Sequence, residues 1–162
     1  MEETNQVYIK ILADSLVKKT EVLRRLEELT AWQEKLLSGD TFNEDDFDQS
    51  MKEKEEQLVI LSELDQGFEN LYSRVREEMA QNKGFYKKEI TSIQHSIEEI
   101  TDYSVKLQAM EARNRDRFRV CLASKHKEIR DVRMNSQSAA SYYKNMSNQH
   151  QAGQSYFMDK KK

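Results

Sequence analysis

Leu36-Leu37-Ser38-Gly39-Asp40-Thr41-Phe42-Asn43-Glu44-Asp45-Asp46-Phe47 decides the fold of this 162-residue chain. A helical apolar stripe stops at Ser38-Gly39-Asp40, where Gly39 suits a left-handed C-cap. A helix start follows at once. Asn43 has the N-cap chemistry, Glu44, Asp45 and Asp46 place negative charge in the first turn, and Phe42 and Phe47 occupy the two staple positions. So short a connection predicts two long helices running antiparallel as neighbours.

Working outward, Ile9, Leu12, Leu16, Leu23, Leu26 and Leu37 return at helical spacing, and Leu29, Trp32 and Leu36 widen their stripe. This predicts a first helix over about 4–38. A second, over about 43–82, carries Phe47, Met51, Leu58, Leu61, Phe68, Tyr72, Val75 and Met79. Lys54 and Asp65 are polar gaps in that stripe, and Gly67 inside it marks a bend or a close helix approach. Asn82-Lys83-Gly84 predicts a break with glycine again at C′. The third helix is expected over about 85–143. Its first half sets Tyr86, Ile90, Ile93, Ile97, Ile100 and Leu107 on the seam, interrupted by Ser104. The same frame then meets Glu111, Asn114, Lys125 and Glu128 between Phe118, Cys121 and Val132, while a shifted frame takes Phe118, Leu122 and Ile129.

Composition agrees with this economy of elements. The chain has no proline and four glycines, with 34% charged and 37% hydrophobic residues. Sheet folds draw on glycine and proline for frequent turns, whereas high charge with long helical periodicity belongs to coiled coils and long bundles. The predicted fold is all-α: an elongated antiparallel three-helix bundle over 1–133 and a disordered tail over 144–162. At about 1.5 Å per residue the third helix outruns its partners near residue 120. The surplus is expected to fray, to pair with a second copy, or to fold onto another protein.

Charge is uneven. Residues 41–82 hold 12 acidic and 4 basic side chains, and residues 106–133 hold 9 basic and 4 acidic. Helix-to-helix complementarity explains this, and attraction of an acidic partner surface is the alternative. Arg113, Arg115, Arg117 and Arg119 alternate along a helix, so they share no single face. With a net charge of −3, nucleic acid is not the expected partner. The longest apolar run, Leu58-Val59-Ile60-Leu61, is far below the roughly 20 residues of a membrane span. The polar start Met1-Glu2-Glu3-Thr4-Asn5-Gln6 does not read as a signal peptide, and a lone Cys121 fits a reducing cytoplasm. There is no glycine-rich phosphate loop. His95, His126 and His150 lack partners at metal-ligand spacing, and Cys121 and His126 point to different faces of a helix. The expectation is an interaction protein, with no catalytic, cofactor or metal site.

The polar-interrupted third helix, Leu107-Gln108-Ala109-Met110-Glu111-Ala112-Arg113-Asn114, is followed by Ala139-Ala140-Ser141-Tyr142-Tyr143 and by a Ser155-Tyr156-Phe157-Met158-Asp159-Lys160-Lys161-Lys162 end. Together these resemble the flagellar export chaperones of the FlgN type. Family members carry an Asn-rich motif ending in Asn-Gly in the third helix; here Asn114 matches and Arg115-Asp116 follows it. The resemblance implies a cytosolic chaperone of hook-filament junction proteins. It would bind their C-terminal helical segments, prevent premature assembly and deliver them to the type III export gate. Client contact is expected at Met110, Asn114, Phe118, Cys121, Leu122, Ile129 and Val132. Tyr142, Tyr143, Tyr156 and Phe157 are expected to dock at the gate or to cover the groove when it is empty. The rivals are a self-assembling coiled-coil scaffold, in which the arm forms a homodimer, and a nucleic-acid-associated helical protein.

Overall fold

The computed structural model describes residues 2–39, 41–125 and 143–144. Among these the chain forms three long helices and no strand: α1 (Glu2–Ser38), α2 (Glu44–Gln81) and α3 (Lys87–Lys125). The start of α2 follows its sequence signals. The Asn43 side chain accepts from the backbone N–H of Asp46 at 3.0 Å, and the Phe42 and Phe47 rings meet at 5.3 Å between centroids. These contacts satisfy an orphan donor of the first turn and fix the angle at which the chain enters α2.

The glycines act differently from the sequence expectation. Neither Gly39 nor Gly84 adopts a positive φ, so neither connection rests on a left-handed glycine. Asn82 caps α2 at φ −125° and ψ 45°, its backbone N–H bonded to the carbonyl of Glu78. Tyr86 then donates its N–H to the carbonyl of Asn82 at 3.1 Å, and the turn passes directly into α3. Gly67 lies in the exposed interior of α2, and a Cβ built there meets nothing within 4 Å. No close helix approach explains it.

Pairing across the helices fixes their directions. Lys19 meets Asp65 and Gln33 meets Ser50, so α1 and α2 are antiparallel. Glu27 pairs with Lys106, Glu34 with Arg117, and Cys121 Sγ lies 3.8 Å from the carbonyl of Leu37. Both numbers rise together, so α3 runs parallel to α1 and comes level with its end at Cys121. The α1 backbone lies close to both other helices, whereas α2 and α3 approach each other at few points. The bundle is therefore built around α1, and large side chains span the wider α2–α3 side.

The apolar core has two parts. The larger gathers Leu12, Leu16, Leu23 and Leu26 of α1, Leu61 and Val75 of α2, and Ile93, Ile97, Ile100 and Leu107 of α3. The smaller lies at the α1–α2 loop end: Leu37, Phe47, Met51 and Phe118, with Phe42, Cys121 and Leu122 against them. The Phe47 and Phe118 rings stand 5.3 Å apart.

α3 is described as far as Lys125, and Gln108 Nε2 donates to the carbonyl oxygen of Tyr143 at 3.2 Å. The expected continuation of the third helix to residue 143 falls outside the described residues. Residues 126–142 and 145–162, including the expected protrusion and tail, lie outside the described residues.

Candidate functional site

Between the two apolar clusters lies a layer of polar side chains from all three helices. Lys54 of α2 and Glu111 of α3 form an ion pair with no side-chain exposure on either partner. Gln33 Oε1 of α1 accepts from Lys54 Nζ at 2.9 Å, while Gln33 Nε2 donates to Ser50 Oγ at 3.0 Å. Asn114 Nδ2 donates to the Thr30 carbonyl at 3.1 Å, and Thr30 Oγ1 donates to Leu26 O at 2.7 Å. Burial lowers the Lys54 pKa from its ordinary 10.5, and the charge of Glu111 offsets part of that shift. Glu111 Oε2 and Asn114 Oδ1 are buried without a hydrogen-bond donor among the described residues. Buried polar groups in this condition weaken a helix interface relative to an apolar one.

A second ion pair, Lys19 with Asp65, ties α1 to α2 within the larger cluster. Lys19 is 1% exposed, and burial lowers its pKa while Asp65 acts against the shift. The exposed Lys106 behaves oppositely, its pKa raised by the hydrogen bond and charge of Glu27. The polar gaps read at Lys54 and Asp65 are thus halves of two interhelical pairs. Their partners Glu111 and Lys19 occupy the corresponding gaps in the facing stripes.

The residues expected to meet a client divide into three groups. Met110, Asn114 and Phe118 are buried, at 5%, 3% and 2% exposure. Met110 belongs to the larger cluster, Asn114 to the polar layer, and Phe118 to the aromatic cluster at the loop end. Cys121 and Leu122 are half-buried at the rim of that cluster. Ile129, Val132 and Tyr142 lie outside the described residues, as do Tyr156 and Phe157. Tyr143 is fully enclosed, at 0% exposure, and is part of the larger cluster. The sequence reading places it at the end of the expected third helix, as a residue that docks at the gate or covers the groove.

Beside its apolar seam, which includes Ile97 and Ser104, α3 also buries Gln94 and half-buries Thr101 and Gln108. These three side chains are polar, so apolar periodicity gives no sign that they are covered.

No protein-family model, curated protein or solved structure matches this chain. No group of three or more His, Cys, Asp or Glu among the described residues could hold a metal ion. No helix among them is long and apolar enough to cross a membrane. What the arrangement offers chemically is helix-to-helix recognition, through apolar seams interrupted by hydrogen-bonding side chains.

Proposed function

We propose that this chain is a cytosolic export chaperone that holds the C-terminal helical segment of a hook-filament junction protein. It keeps that client from premature assembly and hands it to the flagellar export gate. One observation supports the reading: the α2 and α3 backbones approach each other at few points, so that seam is held by side chains such as Lys54–Glu111 and Phe47–Phe118 rather than by close backbone packing. The likeness of the third helix and the C-terminal motifs to FlgN-type chaperones supplies the client class.

Binding on this reading is non-covalent and needs neither cofactor nor catalysis. An amphipathic client helix lays its apolar face against the bundle. The polar content of the α3 seam limits the affinity, so the client can be released at the gate. Cys121 and Leu122 are reachable in the closed bundle. Asn114 and Phe118 become reachable once the end of α3 lifts from the α1–α2 hairpin, whereas Met110 stays within the larger core.

Sedimentation of the purified chain with and without a junction-protein C-terminal peptide tests the proposal. A one-to-one complex is the expected result. Absence of binding by every such peptide, with stable oligomers throughout, would sink it. That outcome would favour a self-assembling scaffold, a reading supported by the outward-facing Val17, Val59 and Ile60, which are 46%, 58% and 40% exposed.

A further inference from the structure

We infer that the turn between α2 and α3, Asn82-Lys83-Gly84-Phe85-Tyr86-Lys87-Lys88, docks on an anionic lipid surface. Phe85 enters the headgroup layer, and Lys83, Lys87 and Lys88 face its phosphates. The contact is peripheral. It lies at the opposite end of the bundle from Phe118 and does not rest on the client reading.

The aromatic side chain comes first. Phe85 is 67% exposed. The other connection, between α1 and α2, also carries a phenylalanine, but the Phe42 ring packs against Phe47 and Phe118. The Phe85 ring meets that of Tyr86 edge-on, at 4.9 Å between centroids. Tyr86 itself is fixed. It is 3% exposed and belongs to the larger core, its N–H donates to the Asn82 carbonyl at 3.1 Å, and its hydroxyl donates to Glu78 Oε1 at 3.3 Å. The buried tyrosine thus holds the turn in place while its neighbour stands in water. A ring left there forgoes the free energy that burial would supply.

The cations come next. Lys83, Lys87 and Lys88 are all exposed, and residues 82–88 contain no acid. Lys87 and Lys88 are the first two residues of α3, where the helix dipole disfavours positive charge. α2 follows the ordinary rule, with Glu44, Asp45 and Asp46 in its first turn; α3 has Glu89 alone. Neither Lys87 nor Lys88 takes part in an ion pair among the described residues. Two lysines against the dipole, beside an exposed ring, break the local rules of helix stability with no gain inside the bundle. Departures of that kind mark functional surfaces.

Charge and shape then select the partner. A ring at a convex turn, flanked by lysines, fits a surface that is negative and admits the ring without a preformed pocket. An anionic bilayer meets both conditions. Its surface potential attracts lysines, aromatic side chains settle at the boundary between headgroups and acyl chains, and the lysine stems let the ammonium groups stay beside the phosphates while the ring sinks. Each lysine contributes about fivefold to partitioning, and the three together about a hundredfold. Burying the Phe85 ring adds about tenfold or more. Contributions of this size give reversible attachment.

Flotation of the full chain with vesicles tests the inference. Phosphatidylcholine vesicles containing about one third phosphatidylglycerol should carry the wild-type chain upward, and pure phosphatidylcholine vesicles should not. Lys83→Gln/Lys87→Gln/Lys88→Gln should lower the partition coefficient about a hundredfold, and Phe85→Ser about tenfold. Both variants should keep the wild-type far-UV circular dichroism, since all four side chains are exposed. Failure of the wild type to float with anionic vesicles overturns the inference. Binding that the triple lysine variant leaves unchanged also overturns it, because the contact then lies elsewhere on the chain. Binding that Phe85→Ser leaves unchanged overturns it too, because a contact through charge alone is one that any acidic macromolecule offers. Insertion has its own readout: Phe85→Trp in a Trp32→Phe background should shift its emission to the blue on anionic vesicles, and an unshifted spectrum from vesicle-bound protein contradicts entry of the ring.

Discussion

Removing one partner of the Lys54–Glu111 pair should be far more damaging than removing both. Neither side chain has any exposure. Lys54→Met keeps most of the lysine volume but leaves the Glu111 carboxylate 3.5 Å from Thr30 Oγ1, whose single proton goes to Leu26 O at 2.7 Å. Glu111→Leu leaves the Lys54 ammonium with Gln33 Oε1 at 2.9 Å. An uncompensated buried charge costs about 3–5 kcal/mol, so each single substitution should lower the unfolding free energy by about that amount. The double substitution removes both desolvation penalties and fills the space with apolar atoms. It should lie within about 1 kcal/mol of wild type or be more stable by as much as about 4 kcal/mol. Urea denaturation followed by far-UV circular dichroism, extrapolated to water for all four proteins, measures the cycle. Two single substitutions that each cost less than about 1 kcal/mol, adding simply in the double variant, would show that the pair is hydrated in solution.

Three other outcomes follow from the packing. Phe118→Ala empties the centre of the small aromatic cluster and should cost about 3–5 kcal/mol in thermal or urea unfolding; a loss below about 1 kcal/mol would mean that this end of α3 is not packed in solution. Gly67→Ala should stabilise by about 1 kcal/mol, since a Cβ there meets nothing within 4 Å, and a destabilised variant would show that the position needs glycine. Burial holds the Lys19 pKa below 10.5, so between its folded value and 10.5 the unfolded chain binds more protons at this site than the folded one. Lys19 therefore makes unfolding free energy rise with pH across that window. Comparing wild type with Lys19→Met should show the slope reduced in the variant, and identical slopes would contradict the lowered pKa.

Local signals in the sequence are legible where a few adjacent residues determine the outcome. Asn43, the three acids after it, and the Phe42–Phe47 staple act within two turns of chain, and the structure places them as their chemistry demands. The apolar stripes of α1 and α3 are legible for the same reason: a 3.6-residue period repeats inside each helix. Pairing between helices is not. Lys54 and Asp65 are visible as gaps, yet assigning Glu111 and Lys19 to them needs the axial offset of one helix against another, which no period within one helix contains. Gly39 and Gly84 have the composition of C′ glycines, but a helix can also end on an Asn82-type cap without a positive φ. Tyr143 is least legible. It stands in a stretch of Ser, Asn and Gln with no apolar stripe, and its contacts with Gln108 and the core join residues far apart in sequence.

The polar layer bears on where a partner helix can enter. Lys54, Glu111, Gln33 and Asn114 separate the aromatic cluster at the loop end from the larger apolar core, so the last turns of α3 are held by a small group around Phe118. Lifting those turns is a local opening that leaves the larger core intact. It still exposes Phe118, at about 1.5–3 kcal/mol for the ring alone, and it loosens a layer whose charges then need water.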